Sequence, residues 1–214
     1  MLVRERMTKH VLTIRPNAPV DDTLRRMRAE KVKRFPVVDG DGKLLGLVSE
    51  TDLLYAAPSP ATSLSVYELH YLYSRITADQ VMAHDVITVS QDEPIEEAAR
   101  LMVDHRVGGL PVMHDGDLVG IITETDIFKA FMEMLGTRDP GVRVTVSCLD
   151  KRGQLAALTS AVARLGGNII SVSTFWGEDA RTSMITLKVS GVDEDSLVAD
   201  IKPLVIDIVD VREM

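Results

Sequence analysis

The chain repeats itself, and no other feature limits its fold as much. Met7, Val11, Thr13, Pro19, Arg25, Met27, Val32, Pro36 and Val37 recur 75 positions later as Met82, Val86, Thr88, Pro94, Arg100, Met102, Val107, Pro111 and Val112. One deletion in the Asp39–Gly42 turn changes the offset to 74, and Gly42, Leu44, Gly46, Glu50, Thr51 and Asp52 recur as Gly116, Leu118, Gly120, Glu124, Thr125 and Asp126. Each copy, roughly 47 residues long, is too small to hold a strong core alone, so the two are expected to pack against each other.

Both copies read as β-α-β-β-α. A short extended piece (11–14; 86–89) leads through Pro19 or Pro94 into a helix whose apolar positions fall three and four apart, Val20, Leu24 and Met27 in one copy, Ile95, Ala98, Ala99, Met102 and Val103 in the other. Two strands around a Gly-rich turn follow, with Asp115-Gly116 marking a hairpin, and a second helix starts at Glu50 or Glu124. Pro58 and Pro60 break the chain between the copies, and 61–77 reads as a linker helix. Past a Pro- and Gly-containing boundary near 136–141, residues 142–214 do not continue the repeat. They read as β-α-β-β-α-β, a ferredoxin-like order with both helices on one face of an antiparallel sheet. The fold class expected is α+β.

Charge and cysteine usage exclude several functions. The net charge is -8, which disfavours nucleic-acid binding driven by phosphate neutralisation. Its distribution is uneven: residues 1–34 carry +6, residues 35–137 carry -12 and residues 138–214 carry -2. One cysteine, Cys148, allows no internal disulfide and no multi-cysteine zinc site. The five histidines have no ligand-like spacing, and no apolar stretch approaches a signal core or a membrane span, so a cytoplasmic protein without metal or membrane partner is expected. No nucleophile elbow, Walker loop or dinucleotide glycine fingerprint is present, so no enzyme activity is expected.

The sharpest local feature is the doubled string GLVSETD (46–52) and GIITETD (120–126). A glycine there lets backbone approach a ligand, and Ser49 or Thr123 stands where a helix begins, a place suited to phosphate. Asp52 or Asp126 follows in the first turn, able to accept from both ribose hydroxyls. The same pattern is also a variant capping box, and the residues alone leave both readings open. Basic groups for an anionic ligand are Lys33 and Arg34 in the first copy and His105 and Arg106 in the second; Lys33-Arg34 align with Gly108-Gly109, which makes two such clefts chemically unequal.

On these residues, with FPVV (35–38) and VGGLPV (107–112), residues 1–135 resemble a tandem pair of CBS domains, the Bateman module. The resemblance implies adenine-nucleotide or related adenosyl ligands in clefts between repeats. It places Ser49, Asp52, Thr123 and Asp126 at phosphate and ribose, Thr13 and Thr88 beside the base, and Arg34 and Arg106 near phosphate. Domains at 1–60 and 78–135 follow from it.

Residues 142–214, through LDKRGQLAAL (149–158) and LGGNIISVSTF (165–175), resemble the ACT domain, which implies an amino acid or similar effector at Asp150, Gly153 and Asn168; turn formation and helix capping account for the same residues. The CBS-CBS-ACT order, with Val66-Tyr67-Glu68-Leu69 in the linker, is similar to acetoin-utilisation proteins of the AcuB type. This implies a regulatory protein tied to acetoin or acetyl-CoA metabolism, a homodimer or higher homo-oligomer, and a partner enzyme. A nucleotide-hydrolysing enzyme and a purely structural oligomerisation module are the alternatives.

Overall fold

The computed structural model describes residues 1–56, 75–177, 179 and 181–214. The linker helix expected over 61–77 lies outside the described residues except for its last three positions, which form a turn and an isolated bridge. Met1–Ile127 make one compact unit and Phe128–Met214 a second. The architecture is α+β throughout.

In the first unit each copy follows the expected order except at its leading strand, which shrinks to a single bridge from Ile14 to Val37 in the first copy and to Val89–Ser90 in the second. The first holds α2 (Val20–Glu30), β1 (Arg34–Val38), β2 (Leu44–Ser49) and α3 (Glu50–Tyr55), after a short helix α1 (Val3–Arg6). The second holds α4 (Ala78–Val81), β3 (Val89–Ser90), α5 (Ile95–His105), β4 (Gly109–His114), β5 (Asp117–Thr123) and α6, which runs on from Glu124 to Met134. Helices α2 and α5 end alike, with Lys31 and Arg106 in the left-handed region (φ 56° and 55°). There the N–H groups of Val32 and Val107 close onto Met27 and Met102. Asp115 and Gly116 both have positive φ, the geometry that joins antiparallel strands with two residues.

Repetition alone does not reveal how the copies share their edges. The segment ahead of the first copy pairs with the second: Thr8 exchanges both backbone bonds with Ile121 (2.9 and 3.0 Å), and Val3, fully buried, donates to Glu93. Reciprocally, Ala83 exchanges both bonds with Leu47 (2.9 and 3.0 Å), and Ala78, Val81 and Met82 complete the core around Phe35, Val37, Val48 and Leu53. Each copy is thus finished by the other's leading segment, which is why neither needs a self-sufficient core.

This exchange also explains the doubled glycine. A Cβ at Gly46 would fall 2.8 Å from Met82 Cγ and 2.9 Å from the Ala83 carbonyl oxygen, with Met82 Sδ closer still. At Gly120 it would fall 2.9 Å from Met7 Cγ and 3.2 Å from the Thr8 carbonyl oxygen. Close approach is therefore required here, but by the exchanged Met82 and Met7. The glycines seat a crossing chain, and the ligand-approach role expected of them gives way to a packing one.

The second unit is a four-stranded antiparallel sheet in the order β7-β8-β6-β9, built from β6 (Val142–Leu149), β7 (Asn168–Trp176), β8 (Thr182–Ser190) and β9 (Asp207–Glu213). Helices α7 (Gln154–Arg164) and α8 (Glu194–Ile201) cover one face. Val144, Val146, Cys148 and Leu187 meet Leu158, Val162, Leu197 and Ile201 in a buried core. This is the ferredoxin-like arrangement, and Cys148 is a core residue, its Sγ against Ser183. On the opposite face Lys188, 3% exposed, donates from Nζ to the Gly136 carbonyl (2.8 Å), and Ser171 Oγ donates to the Leu135 carbonyl (3.2 Å). A buried ammonium just past the end of α6 thus meets the negative end of the helix through the Gly136 carbonyl.

Candidate functional site

In both Ser/Thr-x-x-Asp strings the Asp carboxylate bonds back onto the residue that starts the helix. Ser49 N–H and Oγ–H donate to Asp52 Oδ2 at 2.8 and 2.7 Å, and Asp52 N–H donates back to Ser49 Oγ at 3.2 Å. In the second copy Thr123 N–H and Oγ1–H donate to Asp126 Oδ2 at 3.0 and 2.7 Å. The first is a capping box with the shorter Asp in the usual Glu position, and the second shows the carboxylate's half of one. The next N–H is taken as well, since Glu50 donates to the Lys33 carbonyl (2.9 Å) and Glu124 to that of Gly108 (3.3 Å).

Capping therefore occupies both hydroxyl protons and one oxygen of each carboxylate. Oδ1 of Asp52 and of Asp126 takes part in none of these bonds, and all four residues remain half-buried at the surface. A carboxylate oxygen held in this way is an acceptor for hydroxyl groups. The hydroxyls are poorer phosphate donors than the motif alone implies, because their protons already point at carboxylate.

Arg34 stands beside Ser49 in the β1–β2 register, yet its guanidinium lies across the other copy. A Cβ at Gly108 would sit 3.2 Å from Arg34 Cζ and 2.9 Å from Glu124 Oε2, and one at Gly109 would sit 3.5 Å from Arg34 Cδ. The Gly108-Gly109 pair leaves room for the arginine. The structure so gathers Arg34, Glu124, Thr123 and Asp126 at the start of α6.

The remaining residues expected at the base and phosphate lie elsewhere. Thr13 lines a cleft of about 420 Å³ between the copies, together with Lys9, His10, Leu12, Val38 and Leu118, and neither Ser49 nor Asp52 borders it. Its carbonyl accepts from Arg26 Nη1 (3.0 Å), whose guanidinium lies 5.1 Å from the Phe35 ring centre. Thr88 is half-buried just before β3. Arg106 is the exposed left-handed end of α5.

In the second unit Asp150 follows β6, and its N–H donates to the Arg181 carbonyl (2.8 Å). Gly153 has φ 84° immediately before α7, a backbone position that favours glycine, so its expected contribution is a turn. Asn168 pairs with Ser190, whereas Trp176, near Asp150, pairs with Ser183. Eight steps along β7 separate Asn168 from Trp176, about 26 Å at ~3.3 Å each. Within one chain Asn168 cannot join a site with Asp150.

What does gather with Asp150 is a cleft of about 860 Å³ lined by Lys151, Gln154, Leu155, Phe175 and Trp176. Trp176 is 89% exposed there. In a chain with 4% aromatic residues, adjacent Phe and Trp at a strand end were the available signal, and core packing was an equally good reading of them. Among the described residues, no group of three or more His, Cys, Asp or Glu could hold a metal ion, and no helix is long and apolar enough to cross a membrane.

Comparison with known proteins gives these features a context. The CBS-domain model matches residues 3–59 and 78–133, more than half of the chain, and a TTHA0829-like ACT domain model matches 140–212. A Vibrio cholerae protein assigned to acetoin utilization (AcuB) is 32% identical, with a TM-score of 0.54, over 65% of this chain and 96% of its own. The structure of CBSX2 in complex with AMP is 31% identical with a TM-score of 0.53, covering 62% of this chain and 97% of that one. The CBS domain pair of MJ0100, in complex with 5'-methylthioadenosine and S-adenosyl-L-methionine, is 26% identical with a TM-score of 0.52, covering 65% and 98%. The repeated unit and the appended ferredoxin-like unit fall on the two matched regions: the chain belongs to the CBS-domain family, as a tandem pair followed by an ACT domain.

Proposed function

We propose that this protein is a non-catalytic regulator that senses an adenine nucleotide or related adenosyl ligand at its CBS pair. The observation that carries this reading is the pair of half-buried aspartates, Asp52 and Asp126. Each is held by its own cap with Oδ1 left outside it, in a chain similar to CBS pairs solved with AMP and with S-adenosyl-L-methionine. The ribose hydroxyls are the groups such an oxygen would take, and Arg34, which the structure brings to the start of α6, is the cation on the phosphate side. Ligand joining the two copies favours one arrangement of the exchanged segments over others, and the chain then presents a different surface to a second copy or to a partner enzyme.

The ACT domain would take a second effector, an amino acid or similar molecule, at Asp150 and the loop through Gly153; Asn168 would join that site only from a second copy. A link to acetoin or acetyl-CoA metabolism rests on likeness to the Vibrio cholerae protein, and a homodimer on the same family pattern. Thermal melts with AMP, ADP, ATP, NAD and S-adenosylmethionine test the central reading. At least one raises the melting temperature by several degrees, as expected for ligand well above its Kd, and Asp52→Ala with Asp126→Ala removes the rise. Melting unchanged across the whole panel rejects it.

A further inference from the structure

We infer that the second unit meets a second copy of this chain along one uncharged side, the β7 edge of its sheet with α7 beside it, so that two four-stranded sheets join through β7. This rests on the homodimer reading and goes beyond it in assigning the elements that touch. The run from Gln154 to Trp176 forms α7, a turn through Gly166-Gly167 and β7. It holds one charged residue in 23, where a chain with 26% charged residues would place about six. That one, Arg164, is turned to the other helix, its Nη2 3.3 Å from Asp200 Oδ2. Helix α7 lies against β7 and α8 against β9, and β7 and β9 are the two edges of the sheet. The β9 side is the opposite in character: eight of the twenty residues from Glu194 to Glu213 are charged, with a net of -4.

The uncharged side is open. Leu155, Val172, Phe175 and Trp176 are exposed, and among the described residues no strand pairs with the outer edge of β7. An edge strand is normally guarded against pairing by charge or proline. Asp207, Asp210, Arg212 and Glu213 guard β9, whereas the nine residues of β7 include neither device. The one irregularity of β7 falls between Ile169 and Ser171, which leaves Ser171–Trp176 as a regular edge. The net charge of -8 argues for a second copy as the occupant. Two such chains repel wherever charged sides meet, and this side meets itself without that cost, while a basic partner would be drawn to the β9 side. Antiparallel strands related by a two-fold axis present the same edge to each other, so β7 pairing with β7 closes a dimer.

Sedimentation of the full chain at micromolar concentration tests this. Ser173 stands near the middle of the regular edge, and Thr159 lies one helical turn beyond Leu155, which borders the same cleft as Thr174 and Trp176. Ser173→Glu and Thr159→Glu should each weaken self-association about 100-fold or more and halve the mass, whereas Val209→Glu on β9 should leave it unchanged. Mixing Ser173→Glu with Ser173→Lys should restore the assembly, and amide protection over 171–176 in the unaltered chain should fall on dilution. Unchanged far-UV circular dichroism of each variant shows that the fold is intact. If the mass survives both Glu substitutions, if the mixture stays at half mass, if Val209→Glu halves the mass as well, or if protection over 171–176 ignores dilution, the copies do not meet along β7. The inference then fails while the homodimer reading stands. An unaltered chain that sediments as a monomer at every concentration overturns that reading and this inference with it.

Discussion

Adding one methyl group at Gly46 tests the exchanged architecture quantitatively. The new Cβ would fall 2.8 Å from Met82 Cγ and 2.9 Å from the Ala83 carbonyl oxygen. Methionine can swing away, but the carbonyl cannot without lengthening the Leu47–Ala83 pair of backbone bonds. Overpacking of this kind costs about 1–3 kcal/mol, or about 3–9 °C at roughly 3 °C per kcal/mol for a chain of this size. Met82→Ala alone costs about 1–2 kcal/mol for a half-buried side chain. In the double variant the methyl occupies space that methionine has left, so the two costs fall short of their sum by about 1 kcal/mol.

Hydrogen exchange on peptides covering β2 and residues 81–84 is the appropriate assay. The sole tryptophan, Trp176, is in the second unit, so its fluorescence does not report on this one. The Gly120→Ala and Met7→Ala pair should repeat the result, with protection lost at Thr8 and Ile121. Additivity within about 0.3 kcal/mol at both sites would refute the argument that these glycines exist to seat exchanged methionines.

Two further outcomes concern the second unit and can be followed by hydrogen exchange of β6 and β8 in urea. Lys188→Met removes the ammonium's bond to the Gly136 carbonyl, which keeps the Asp139 N–H, so stability falls by about 1 kcal/mol; an unchanged midpoint would mean the bond to Gly136 contributes nothing. Asp193 is held below the usual carboxylate range mainly by the Ser196 backbone N–H, and Asp210 mainly by its hydrogen bond from Arg212. Their unfolded forms take up protons first, so the stability they contribute is complete above the ordinary aspartate pKa near 4 and is lost as pH falls through the lower folded values. Asp193→Asn should flatten that acid limb, and a limb of unchanged slope would show that the Asp193 cap is not its source.

Much of the secondary structure was legible because it follows from periodicity. Val20, Leu24 and Met27 set one helix face, and all three are buried; Val142–Leu149 alternates and forms β6 over the same residues. What was not legible comes from partners distant in the chain. Helices α1 and α4 have four residues each, too short for a periodic signal, and their pairing with the opposite copy depends on a crossing that no local pattern encodes. Gly46 and Gly120 were visible as special positions, but only the structure identifies Met82 and Met7 as what approaches them.

The candidate site divides in the same way. The Ser49–Asp52 and Thr123–Asp126 boxes are local and were visible in the sequence, whereas the reach of Arg34 to Gly108 and the separation of Asn168 from Asp150 depend on register across strands.

The most direct test of the central claim is a crystal structure of the full chain grown with saturating AMP. The account predicts nucleotide density in the first unit, with the ribose hydroxyls within hydrogen-bond distance of Asp126 Oδ1 while Oδ2 keeps its cap on Thr123. Well-ordered Thr123 and Asp126 with no ligand density beside them, or nucleotide bound away from both aspartates, would contradict it.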